Sequence, residues 1–150
     1  MLHQAVILGN TVDVHFENPY VTLYWNPDLR AVGTWFRPAE FGGGWDGVKT
    51  IQLALDAGLE IIRSQRATRW IADTREMAVM PAEAQQWCAE DWWPRALSEG
   101  FRWLAILLPK STMAKLAIDE SLASSDEHPE SETRYFGDIE AAKAWLRSKP

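Results

Sequence analysis

The sequence predicts one α/β domain: a mainly parallel sheet entered through an antiparallel N-terminal β-meander, with about four helices packed against it. Three observations carry this expectation. Apolar residues alternate with polar ones at Val12, Val14 and Phe16, and again at Val21, Leu23 and Trp25, which is the period of half-buried strands. From Val48 the spacing changes to three and four residues through Ile51, Leu55, Leu59 and Ile62, the pattern of an amphipathic helix. Residues 103–108 are apolar without interruption, as in a parallel strand covered on both faces.

Each element follows in order. Residues 1–11 read as an N-terminal extension, and the two alternating strands after it are joined by an Asn18-Pro19 turn. Asn26-Pro27-Asp28 is a second turn, and residues 29–36 resume an extended pattern that Arg37-Pro38 ends. Gly42, Gly43, Gly44 and Gly47 make a flexible entry to the first helix. Arg63 and Arg66 are placed in its last turn, where cations complement the helix dipole. Residues 68–73 form a short strand. Pro81 opens the second helix with Glu83 in its first turn, Ala84, Trp87, Cys88 and Trp92 lie near one face, and Pro94 is expected to kink or break it. Gly100 ends that segment, and residues 103–108 are expected at the centre of the sheet. Lys110 starts a third helix with Met113, Leu116 and Ala117, followed by an acidic loop over residues 119–132 that holds no Lys or Arg. Residues 133–136 give a last strand, and Asp138 caps a final helix through Ile139, Ala142 and Leu146. No repeat or internal boundary divides residues 1–150, so a single domain is expected.

Composition narrows the function classes. An apolar fraction of 47% with 24% charged residues belongs to a chain that buries a core rather than to a disordered one. Fifteen basic against 21 acidic residues leave a net charge of −6, which argues against nucleic-acid binding. Cys88 is the only cysteine, so no internal disulfide can form and a cytoplasmic location is expected. No run approaches the roughly 20 apolar residues of a membrane helix, so membrane insertion is not expected.

Residues 42–50 nearly spell a phosphate-binding loop, but Val48 separates Gly47 from Lys49 and turns Lys49 and Thr50 away from where phosphates would sit. His3, His15 and His128 are dispersed, so neither a metal nor a cofactor is expected. Cys88, beside Trp87, reads as a buried and inert thiol, and no Gly-x-Ser-x-Gly elbow occurs; no catalytic residue is nominated. Two clusters stand out. Asp73-Thr74-Arg75 follows a strand at the carboxyl edge of the parallel sheet, where open α/β sheets place ligands. The same residues could simply organise a turn through side-chain hydrogen bonds. Arg63, Arg66, Arg69 and Arg75 crowd this stretch and offer an anion site. The second cluster is Trp87, Asp91, Trp92 and Trp93, with Arg95 beyond Pro94. Adjacent rings lie about 100° apart on a helix, so one can pack in the core while another meets a partner or ligand.

Residues 70–75, Trp87 with residues 91–96, Gly100, Tyr135-Phe136 and residues 141–146 together resemble a subgroup of small bacterial proteins in the SpoIIAA-like (STAS/SEC14-type) class. The resemblance spans about residues 21–147 and implies a sheet with helices packed against it, in a class whose best understood members are regulatory switches. In its anti-sigma-factor antagonists a Ser or Thr beside an Asp, after a central strand, is phosphorylated. Asp73-Thr74 is the nearest match, which makes Thr74 the candidate phospho-acceptor, although Arg75-Glu76-Met77 stands where those antagonists continue with an Asp-Ser-Ser-Gly-like sequence. The resemblance implies a non-enzymatic regulatory or protein-interaction module with an unknown protein partner. A small-ligand-binding protein for an apolar or anionic molecule is the alternative, an enzyme ranks below both, and a homodimer is expected if an aromatic patch or the strand at residues 12–16 needs cover.

Overall fold

A computed structural model of the chain describes residues 1–37, 45–77, 82–112 and 131–150. Among them, seven strands form one sheet in sequential order: β1 (His3–Ile7), β2 (Asn10–Glu17), β3 (Val21–Asn26), β4 (Ala31–Phe36), β5 (Arg69–Asp73), β6 (Trp103–Leu107) and β7 (Glu132–Phe136). Helix α1 (Trp45–Gln65) joins β4 to β5. A helical stretch of α2 (Ala82–Trp87), a π-helical turn (Cys88–Trp92) and α3 (Trp93–Ser98) joins β5 to β6, and α4 (Ile139–Arg147) follows β7. The glycines 42–44, the third helix beyond residues 110–112 and residues 119–130 of the acidic stretch lie outside the described residues.

The class is α/β with an antiparallel N-terminal part, but the sheet is mixed rather than mainly parallel. β1 to β4 pair antiparallel, and β4 to β7 pair parallel. The difference comes from residues 1–11, which are no extension: β1 pairs with β2 from His3↔Val14 to Ile7↔Asn10. Leu8 and Gly9, at φ 52° and 80°, make the two-residue turn between them, a conformation suited to the twist of a hairpin. β2 is therefore paired on both sides and is not an edge. β6 lies second from one end of the sheet, not at its centre. Its apolar run reflects cover on both faces, with Leu104 and Ile106 against one core and Ala105 and Leu107 in another.

One face is apolar and aromatic. Leu23, Trp25, Val32 and Trp70 meet Val48, Ile51, Leu55, Leu59 and Ile62 of α1, together with Trp92, Ala96 and Phe101. Helix and sheet come close enough that a Cβ at Gly58 would lie 2.3 Å from the Trp70 ring. Arg66 falls just past α1, at φ 52°, where the Ala67 N–H donates to the Ile62 carbonyl at 3.0 Å and closes the helix end. Pro94 does not break the second helical segment. Lacking an N–H and crowding the preceding turn, it is accommodated by the π-helical turn, in which the Trp93 N–H reaches back to the Cys88 carbonyl.

The other face has two covers. α4, capped by Asp138 accepting from the Ala141 N–H at 3.0 Å, packs Ala142, Trp145 and Leu146 against Ile71, Ala105 and Leu107. The β1–β2 hairpin shields the rest, where Val12, Val14 and Tyr24 cluster with Ala5, Ile7 and Trp35. At about 4.8 Å per strand a flat sheet would hold β1 roughly 19 Å from β5. Instead the Leu8 carbonyl accepts from Lys143 Nζ of α4 at 2.6 Å, so the antiparallel half coils back over the sheet. A bulge at His15, where the β2–β3 register shifts between Val14 and Phe16, adds to that coiling.

Candidate functional site

The coil of the hairpin creates a site at the carboxyl ends of β4 and β5. Parallel register sets Trp35 beside Asp73, so the two side chains share the face under the hairpin. After Asp73 the chain turns at once. The Thr74 N–H and Oγ1 both donate to the Leu107 carbonyl, at 3.1 and 2.8 Å, and the Met77 N–H donates to the Thr74 carbonyl at 3.1 Å. Asp73 Oδ1 accepts from the Arg75 N–H at 3.2 Å, and the Arg75 guanidinium folds back onto the same carboxylate through Nε and Nη2, at 2.9 and 2.8 Å. The turn-organising role and the edge position therefore coexist at these three residues.

A cavity of about 400 Å³ opens there, lined by Val6, Ile7, Leu8, Trp35, Asp73, Arg75 and Glu76. Its lining mixes two chemistries: four apolar or aromatic residues, and a carboxylate–guanidinium pair with a second carboxylate. Asp73 is only 5% exposed, whereas Arg75 and Glu76 reach solvent. Such a mixture of apolar lining and a few convergent polar groups is what small-molecule sites share.

Tyr24 adds a second polar group near Asp73. It pairs across β3–β4 with Gly33, and its ring tip occupies the space where a Gly33 Cβ would stand, 2.1 Å from that position. The hydroxyl is fully buried and has no hydrogen-bond partner among the described residues. Burial, with a smaller contribution from the Asp73 charge, pushes the phenol pKa far above its ordinary value and keeps it neutral.

The second sequence cluster lies on the opposite face and divides by depth. Trp92 is buried, its Nε1–H donates to the Leu55 carbonyl at 2.9 Å, and its ring meets Trp70 edge-on at 5.3 Å. Trp93 is half-buried against Phe101 at 5.3 Å, and the half-buried Trp87 carries the Arg95 guanidinium 5.8 Å from its ring. Asp91 and Arg95 are exposed and paired at 2.7 Å, with Asp56 joining at 2.9 Å. Sequence reasoning thus named two clusters that the sheet keeps apart.

The four arginines do not converge. Arg63 pairs with Glu60 and Glu99, Arg69 donates to the Leu29 and Lys149 carbonyls, and Arg75 belongs to the opposite end of β5. Among the described residues no group of three His, Cys, Asp or Glu side chains gathers to hold a metal, and no helix is long and apolar enough to cross a membrane. Burial pushes the Cys88 thiol from 9.0 to about 11, so alkylation of the folded protein should stay slow at neutral pH and accelerate as pH rises toward 11. Fast labelling at pH 7 in a stopped alkylation assay would contradict that environment.

Val6, Ile7, Leu8, Trp35, Glu76 and Tyr24 were not nominated from sequence. One signal pointed their way: Gly33, inside a strand pattern, marks a close approach of another group. No protein-family model, curated protein or solved structure matches the chain.

Proposed function

We propose that this protein is a non-catalytic small-ligand-binding module on a SpoIIAA-like scaffold, holding its ligand between the β1–β2 hairpin and the carboxyl ends of β4 and β5. The cavity carries the proposal: its size falls in the range of small-molecule sites, and it sits where α/β sheets receive ligands. Its ionisable lining is an Asp73–Arg75 pair satisfied within itself and Glu76, which supports recognition rather than catalysis by a nucleophile with its base. The kinship with SpoIIAA-like domains is part of the same proposal, supported by helices packed on both faces of the sheet. The regulatory or partner-binding reading draws less support, because every tryptophan whose side chain is described is buried or half-buried. A Thr74 switch would have to release the hydroxyl from the Leu107 carbonyl before a phosphate could be accommodated.

The test is native mass spectrometry of gently isolated protein, joined to a thermal-shift screen of small metabolites against wild type and Val6→Trp. Val6 lines the cavity yet is 74% exposed, so a large ring there obstructs the opening without entering the core. The expected result is an adduct or a stabilising compound that the variant loses. Compounds that stabilise both proteins equally would place binding elsewhere and end the proposal.

A further inference from the structure

The charges around the cavity specify a ligand class. Asp73 and Arg75 neutralise one another through a bidentate contact, so as a pair they leave no net charge to match. Glu76 remains: an exposed carboxylate on the cavity wall that forms no ion pair among the described residues. The three ionisable lining groups therefore sum to a net charge of −1, with Arg75 feeling the Glu76 charge as well as that of Asp73. The nearby Arg37 does not cancel it, being held by Glu17 at 2.9 Å, and the whole chain at −6 favours the approach of cations. The rest of the lining is Trp35, whose ring already attracts the Arg37 guanidinium at 5.2 Å, and the apolar residues Val6, Ile7 and Leu8. An anion would meet two carboxylates with the only guanidinium already engaged. A neutral apolar molecule would leave Glu76 unmatched.

We infer that the cavity takes an organic amine joined to an apolar or aromatic body, its ammonium at Glu76 and its body against Trp35 and the β1–β2 hairpin. This rests on the ligand-binding reading above and replaces the apolar-or-anionic expectation with a cationic one. The site needs no preformed partner beyond the groups already present: Glu76 provides the charge, Trp35 aromatic surface, and the hairpin the apolar wall.

The experiment follows indole ¹⁵N–¹H resonances, with Trp35 assigned through Trp35→Phe, during titration with phenethylamine. Three probes of matched body accompany it: 3-phenylpropanoate, phenylalanine and 3-phenylpropanol. Phenethylamine should shift the Trp35 resonance saturably and more tightly than the other three, and Glu76→Gln should weaken it by about fivefold, the factor an exposed ion pair carries. Because Glu76 is exposed, the remaining indole resonances should not move in that variant, which separates loss of binding from loss of fold. If any of the three other probes matches or exceeds the amine, or if Glu76→Gln leaves amine affinity unchanged, the amine assignment is overturned while the cavity reading stands. If none of the four probes shifts Trp35 at millimolar concentration, both are overturned.

Discussion

The two faces of the sheet use aromatic residues in opposite ways. On the α1 face, Trp70 meets Trp92 and Phe101 edge-on while Trp92 and Phe101 tilt against each other, both Trp70 and Trp92 find acceptors for their N–H groups, and Asp91 and Arg95 are exposed. Under the hairpin, Tyr24 lies flat over Gly33 with an unpartnered hydroxyl, Trp35 borders a cavity, and a carboxylate is nearly buried with its arginine beside it. Both regions are rich in rings, yet only the second borders the described cavity. Aromatic content alone does not mark a binding site; open space lined by apolar residues and a few convergent polar groups does.

This contrast can be broken most forcefully from its packed side. Trp92→Ala removes a buried ring and the hydrogen bond to the Leu55 carbonyl, and should cost ~3–5 kcal/mol in urea unfolding. A loss below ~1 kcal/mol would mean that the aromatic face is not the dominant core. Gly33→Ala comes next. Its new Cβ would collide with the Tyr24 ring tip, so a loss of ~1–3 kcal/mol is expected. Truncating Tyr24 to Ala in the same chain should make the Gly33 substitution nearly neutral, a double-mutant coupling that confirms which contact is responsible.

Much of this was legible in the chain, and the exceptions have a common cause. The helix through Val48, Ile51, Leu55, Leu59 and Ile62, the Asp138 cap and the edge position of Asp73-Thr74-Arg75 follow from local periodicity and local hydrogen bonding, and the structure shows each of them. β1 went unread because its alternation is brief and its partner strand supplies the register. The cavity went unread for a deeper reason. Trp35 and Asp73 are 38 positions apart and become neighbours only through parallel register, and residues 6–8 join them only because the sheet coils. Nothing within a window of a dozen residues encodes that meeting. Pro94 teaches the converse: its local rule is correct about the lost N–H, but a π-helical turn satisfies the rule without breaking the helix.

The smallest expected effect is the sharpest test, because its sign matters more than its size. Tyr24→Phe keeps the ring over Gly33 and deletes only the hydroxyl. An O–H buried without a partner is a net burden on the folded state, since its water hydrogen bonds in the unfolded chain are not replaced. The variant should therefore be as stable as wild type or more stable by ~1 kcal/mol, measured by chemical denaturation with unchanged m-value. Thr34 on the opposite face offers the control: Thr34→Val removes the hydroxyl Oγ1 that accepts the Trp70 indole N–H at 3.1 Å and should be destabilising by ~1 kcal/mol or more, because it orphans a buried donor. If Tyr24→Phe instead lost stability as Thr34→Val does, the Tyr24 hydroxyl would be hydrogen-bonded in solution. The distinction between the packed core and the site would then rest on the cavity and Glu76 alone.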